Sequence, residues 1–175
     1  NVDYFKGIHS DMLRMGLEPK STTYLIYTGP FEYDIRTRLN FDAMERMLNI
    51  RLNETITEKI GGAYNIGAYG SIDKYPNPSY VFEIYFNSDP DQQKKIIEAI
   101  EQEIENLQEN GFGQSYLDKV NKQMLQKYQE ENKTNDFWIW NLEFYDWIKE
   151  PYSNIYSIEQ LHQQRTLKEI VNLAR

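Results

Sequence analysis

The sequence predicts an α+β fold of two layers, an antiparallel four-stranded sheet with helices packed on one face, in a single domain over residues 1–175. Three observations predict it. Short runs rich in β-branched and aromatic residues, bounded by Gly and Pro, recur in the first half of the chain. Two longer stretches carry apolar residues at three- and four-residue steps. The last third is helical throughout by the same spacing.

Residues 8–15 (IHSDMLRM) and 21–28 (STTYLIYT) read as the first two strands, separated by Gly16-Leu17-Glu18-Pro19 and closed by Gly29-Pro30. From Ile35 the period changes. Leu39, Phe41, Met44, Met47, Leu48, Leu52, Ile56 and Ile60 line one face of a long helix, which Gly61-Gly62 ends. Two alternating runs follow, 64–72 and 79–87. In the second, Tyr80, Phe82, Ile84 and Phe86 oppose Val81, Glu83 and Tyr85. Turn residues at 73–78 join the two runs into an antiparallel hairpin.

Asp89-Pro90 starts the next helix, striped by Ile96, Ile97, Ile100, Ile104 and Leu107 up to Asn110-Gly111. Ser115 with Asp118 gives a capping signal for a third helix, and a fourth runs from Asn135 to Lys149 before Pro151. Ser157 with Gln160 and Thr166 with Glu169 fit capping boxes for two short closing helices.

Composition narrows the function classes. The chain has 175 residues, with 19 Lys+Arg against 27 Asp+Glu and a net charge of −8. That balance argues against general nucleic-acid binding, which needs cationic surface to displace phosphate counterions. A hydrophobic share of 40%, with 14% aromatic, excludes intrinsic disorder. No apolar run approaches the ~20 residues of a membrane span. The absence of cysteine excludes a disulfide framework, a thiolate metal site and a Cys nucleophile. The opening Asn1-Val2-Asp3-Tyr4-Phe5 has no initiator Met and no leader pattern, and reads as the start of a piece of a longer protein.

No complete catalytic constellation is visible. The two histidines, His9 and His162, are far apart and neither lies in H-E-x-x-H or H-x-x-E-H. Glu159 and His162 form a single E-x-x-H step without the second copy that a di-iron bundle needs, so they read as ordinary exposed helix residues. His9 reads as a strand residue at a sheet edge. No Ser sits in G-x-S-x-G, and the glycines at 61, 62, 67 and 70 match no phosphate-binding spacing. The sequons at Asn53 and Asn132 fall on expected helices, which makes glycosylation there unfavourable. Residues 137–148 (FWIWNLEFYDWI) exceed what a core helix requires. Trp140, Phe144, Trp147, Phe137 and Ile148 share one arc, and Tyr145, Trp138 and Leu142 a second. Either both pack into this domain's core, or one arc docks another domain.

Four segments together carry a family resemblance: GLEPKS (16–21) with TGPFEYDIRTRLNFDAM (28–44), RLNETITEKIGGAY (51–64), KYPNPSYVFEIYFNSDP (74–90) and ENKTNDFWIWNLEFY (131–145). In that order they resemble the C-terminal domain of pitrilysin-like (insulinase-type, inverzincin) zinc metallopeptidases, especially the long bacterial forms. The resemblance implies a fold like that of pitrilysin and mitochondrial processing peptidase, one of four similar α+β domains closing two bowls around a peptide. It implies that zinc and its H-x-x-E-H helix belong to another domain, so that no catalytic or metal residue lies in this chain. In the family a helix Arg and a Tyr seven residues later support the tetrahedral oxyanion. The resemblance places that Tyr at Tyr64 as a substrate-binding residue. The Arg position holds Thr57, which cannot supply a charged, forked donor.

The function these readings imply is the non-catalytic domain of a zinc metalloendopeptidase, forming one wall of its chamber and helping to bind peptide. Its partners would be the other domains of the same polypeptide and peptide substrates, with no nucleic acid and no membrane span. Long bacterial members often work in the periplasm, which favours a periplasmic or membrane-associated location. A closing strand is expected beyond the final helix at 167–174. Two alternatives stand beside this reading: a scaffold or assembly subunit without activity, and a peptide-binding module using a sheet edge.

Overall fold

Three strands, β1 (Ser21–Pro30), β2 (Ala63–Asp73) and β3 (Ser79–Ser88), form one antiparallel sheet in the order β1-β3-β2. The computed structural model describes residues 7–175, so Asn1–Lys6, and with them the reading of the opening as the start of a piece, lie outside the described residues. β3 pairs with β1 from Ser21↔Ser88 to Pro30↔Ser79 and with β2 from Ala63↔Ser88 to Asp73↔Ser79. The alternation read from the sequence sets its faces: Phe82, Ile84, Phe86 and Ser88 are buried, while Val81, Glu83, Tyr85 and Asn87 turn the other way.

The expected first strand does not form. Residues 8–15 are irregular, with Ile8, Leu13 and Met15 at 101%, 82% and 82% exposure. An apolar run becomes a strand only where a neighbour satisfies its peptide groups, and no strand pairs with this one among the described residues. The sheet therefore has three strands there, not four. His9, expected at a sheet edge, lies in the same exposed irregular segment.

The chain divides into two compact units, one comprising residues up to Phe31 with Asn49–Gln102, the other Glu32–Leu48 with Glu103–Arg175. In the sheet unit the inner face buries Thr23, Ile66, Ala68, Phe82, Ile84 and Phe86, and Leu52, Ile56, Ile96 and Ile100 are buried in the same unit. Helix α1 (Ile35–Leu52) runs straight into a π-helical stretch, Asn53–Ile60, which packs against β2. The extent matches the spacing of apolar residues, but the last turns are wider. The Gly61 N–H donates to the Ile56 carbonyl at 3.0 Å, a five-residue step, and Gly61 takes the left-handed φ of 67° that ends the winding. Asn49 ties the helix to the free edge of β2. Its amide donates to the Ala68 carbonyl at 2.7 Å and its oxygen accepts from the Ala68 N–H at 2.8 Å, imitating a neighbouring strand.

The helical unit holds the first part of α1, the end of α2 (Gln93–Asn110), α3 (Gln114–Glu131), α4 (Asn135–Ile148), α5 (Asn154–Gln164) and α6 (Leu167–Ala174). Its core gathers Tyr145, Ile148, Ile155 and Ile158, with Leu39, Tyr128, Phe137, Trp138 and Phe144 packed against them. The capping signals fared unevenly. Thr166 and Glu169 make both bonds of their box, and Thr134 accepts from the Phe137 N–H at the start of α4. Asp34, which the pattern did not reveal, caps α1 by accepting from the Thr37 N–H at 2.9 Å. Gly113, not Ser115, precedes α3, and α5 starts at Asn154 so that Ser157 lies inside it. A serine inside an amphipathic turn cannot cap, because the N–H groups beyond it are already bonded within the helix.

Candidate functional site

Register turns the outer face of the sheet into transverse rows. Thr22, Asn87 and Asn65 form the first; Tyr24, Tyr85 and Gly67 the second; Ile26, Glu83 and Tyr69 the third; Thr28, Val81 and Ser71 the fourth. Tyr24, Ile26, Tyr69 and Val81 are 57%, 60%, 57% and 40% exposed, so this face carries a large uncovered apolar surface. The Tyr85 ring stacks on Tyr69 at 5.7 Å and approaches Tyr24 at 6.5 Å, making a ladder of three rings across three strands. Gly67 makes the ladder fit. A Cβ there would come within 2.9 Å of the Tyr85 ring and 3.1 Å of Tyr69, so glycine lets the rings lie over the backbone of β2. At the polar end, Thr22 donates to Asn87 at 2.6 Å and Asn87 donates to Asn65 at 2.7 Å.

Tyr64 sits beside that polar row. The β2–β3 register slips between Ala63 and Asn65, so Tyr64 is the extra residue of a β-bulge, a device that redirects a side chain. It is 62% exposed, and with Lys20, Thr22, Asn65 and Asn87 it lines an open recess. Its hydroxyl donates to the Asp89 carboxylate at 2.6 Å. That hydrogen bond, with smaller contributions from desolvation and the Asp89 charge, raises the phenol pKa, so the hydroxyl keeps its proton at neutral pH. Asp89 thus serves Tyr64 and makes no side-chain bond to the helix start that the sequence assigned to it. Thr57 lies exposed on the π-helical stretch and is not among the residues lining the recess. The proton of Tyr64 points at a carboxylate, and a carboxylate beside an oxyanion opposes the charge that forms there.

Glu159 and His162 are not the exposed pair the sequence suggests. His162 is 4% exposed and its Nδ1 lies 3.0 Å from the Arg165 guanidinium, while Glu159 accepts from Gln129. Ile155, Ile158, His162 and Arg165 follow one another at helical spacing, so His162 falls on the buried stripe. A guanidinium can only donate, so Nδ1 accepts and the imidazole proton sits on Nε2. Among the described residues no three of His, Asp and Glu come together in a way that could hold a metal ion. The residues present therefore do not fit a zinc site, and no metal-dependent step is assigned to them. No helix among the described residues is long and apolar enough to cross a membrane.

On α4 each aromatic arc is split. Tyr145 and Ile148 are fully buried, whereas Trp140 and Trp147 are 68% and 56% exposed on one shoulder and Leu142 is exposed on the other. Trp140 stacks on Phe144 at 5.8 Å, and the Arg38 guanidinium lies 4.5 Å from the Phe144 centroid. Part of this helix is core and part is surface.

No curated protein matches the chain by sequence. The family described as Peptidase M16 inactive domain matches residues 5–124. The chain belongs to that family. The resemblance to the non-zinc-binding domain of a metallopeptidase holds at this level, and so does the α+β fold with an antiparallel sheet. Solved structures share the fold of this M16 inactive domain at low identity. The periplasmic protease PqqL from Escherichia coli superposes with a TM-score of 0.80 at 15% identity, over 90% of this chain and 18% of that one. A peptidase M16 inactive domain from Pseudomonas fluorescens gives 0.72 at 16% identity, over 87% and 37%. A putative zinc protease from Bordetella pertussis gives 0.65 at 12% identity, over 88% and 91%. The chain thus spans about a fifth of the length of PqqL.

Proposed function

We propose that this M16 inactive domain is the non-catalytic part of a larger zinc metalloendopeptidase, and that the outer face of its sheet is a wall against which peptide substrates lie. The observation that carries the reading is the uncovered ladder of Tyr24, Tyr85 and Tyr69 with Ile26 and Val81 beside it. Tyrosine rings give broad apolar contact at low conformational cost, and the amides of Asn65 and Asn87 at one end can bond peptide groups. Zinc, absent from the chemistry of these residues, would be held by another domain of the same polypeptide.

In this reading Tyr64 is a substrate contact at the rim of the wall. With its proton given to Asp89, its oxygen can accept one hydrogen bond from a peptide N–H, and losing that bond corresponds to about a 3- to 10-fold change in rate. Tyr64→Phe in the complete enzyme is expected to lower kcat/KM for peptide cleavage by that factor, while Thr57→Ala leaves it unchanged. Equal activity of Tyr64→Phe and the unmodified enzyme removes Tyr64 from the site. A second reading, a scaffold or assembly subunit without activity, is favoured by Thr57 standing in place of the family Arg and by the commitment of the Tyr64 proton to Asp89. An intact H-x-x-E-H with a downstream Glu elsewhere in the polypeptide supports the peptidase, and its absence supports the scaffold.

A further inference from the structure

We propose that the outer sheet face selects a cationic side chain, Lys or Arg, of an extended peptide, with Glu83 as its counter-ion and the tyrosine ladder as its walls. The inference rests on the reading of this face as a peptide wall and names which peptides it favours.

Register alone puts one charge on the four rows, the carboxylate of Glu83, in the middle of the central strand. Directly opposite it across the two strand pairs stand Ile26 and Tyr69, whose Cβ atoms lie about 5 Å away at such positions. Tyr85 and Val81 flank it along β3, two residues to either side on the same face. Glu83 is half-buried by these neighbours, and no basic side chain pairs with it among the described residues. Lys20, just before β1, is engaged with Glu18 at 2.7 Å.

A partly screened carboxylate beside stacked rings suits an incoming cation in two ways. The carboxylate supplies a charge partner, and the negative faces of Tyr69 and Tyr85 attract an ammonium or a guanidinium laid over them. The apolar stem of Lys or Arg meanwhile covers Ile26 and Val81. Charge complementarity disfavours the other occupants. A second copy placed face to face would set two Glu83 carboxylates together on chains that each carry −8, and a nucleic-acid phosphate would meet the same charge. An extended peptide running across the rows can place one basic side chain at Glu83 and, about four residues further along, its peptide groups near Asn65 and Asn87.

The test titrates the complete polypeptide, isotope-labelled only over these 175 residues, with two acetylated, amidated extended peptides, identical except for a central Lys or norleucine, and follows backbone amide shifts of β1, β2 and β3. Both peptides are expected to shift outer-face residues, with the Lys peptide binding about 3- to 10-fold tighter. Glu83→Gln should remove most of that difference, leaving only the smaller share of the rings, and leave norleucine binding unchanged, which also shows that the variant is folded. Tyr69→Leu should reduce the preference without abolishing it. A Lys preference undiminished in Glu83→Gln, or equal binding of the two peptides to the unmodified protein, overturns the selectivity while the wall itself stands. Failure of both peptides to shift the outer face overturns the wall and the selectivity together.

Discussion

Replacing Arg165 by Met is expected to lower the stability of the helical unit by about 3–5 kcal/mol. Arg165 is 5% exposed and touches no carboxylate among the described residues. Its charge is instead spread over neutral acceptors. Nε donates to Asn40 at 3.0 Å, Nη1 to Asn121 at 2.6 Å, and Nη2 to the Leu39 carbonyl at 2.9 Å, with His162 Nδ1 also 3.0 Å from Nη2. Burial lowers its pKa to about 10, which leaves it a cation at neutral pH. Met fills a similar volume and spares the desolvation of the charge, an effect that favours the variant. Against it stand the acceptors left without their donor, buried at Asn40 and His162 and part-buried at Asn121 and the Leu39 carbonyl, each buried one costing about 1–3 kcal/mol. The acceptors win because they remain in place, unlike the case where both sides of a polar cluster are replaced. All three tryptophans lie in the helical unit, so urea unfolding followed by tryptophan emission reads this loss directly. A shift below about 1 kcal/mol would show that the cluster contributes little.

Acid is expected to unfold the same unit through His162. Desolvation, then the charges of Arg165 and Arg46, lowers its folded pKa to about 4 from an ordinary 6.5. A depressed pKa means that the folded state binds fewer protons than the unfolded chain between those values. The stability tied to neutral His162 is therefore complete above pH 6.5 and is lost as pH falls toward 4, by roughly 2–4 kcal/mol. Protonation would also place an imidazolium 3.0 Å from a guanidinium. Urea midpoints between pH 7 and pH 4.5 should fall more steeply for the unmodified chain than for His162→Gln, in which no charge can appear. Parallel slopes for the two proteins would show that His162 does not titrate in this range.

Elements whose signal is local were legible in the sequence. The hairpin of β2 and β3 follows from alternation and turn residues, the extent of α1 and its π-helical continuation from apolar spacing and Gly61, and α6 from the Thr166 box. What was hidden depends on partners far along the chain. The run 8–15 has strand-like composition, but composition cannot supply a neighbouring edge. The bulge at Tyr64 is a register slip between two strands, and its bond to Asp89 joins residues 25 apart in sequence. His162 and Arg165 look like surface residues until Asn40 and Asn121 arrive from α1 and α3 to accept from the guanidinium. Their position on the stripe of Ile155 and Ile158 was the available signal. The tyrosine ladder was half visible: Tyr85 was placed opposite the core face, and Gly67 within an alternating strand was the sign that another group lies close to the backbone.

The wall is tested most directly by placing the photo-crosslinker p-benzoylphenylalanine at Tyr24 or at Lys122 in the complete polypeptide, irradiating with a peptide substrate, and weighing the products. Peptide adducts are expected from position 24 and disappear with excess unlabelled peptide, and none are expected from position 122 on α3. Adducts from position 24 that join only another segment of the same polypeptide would contradict the wall, because the face would then be an interface between domains.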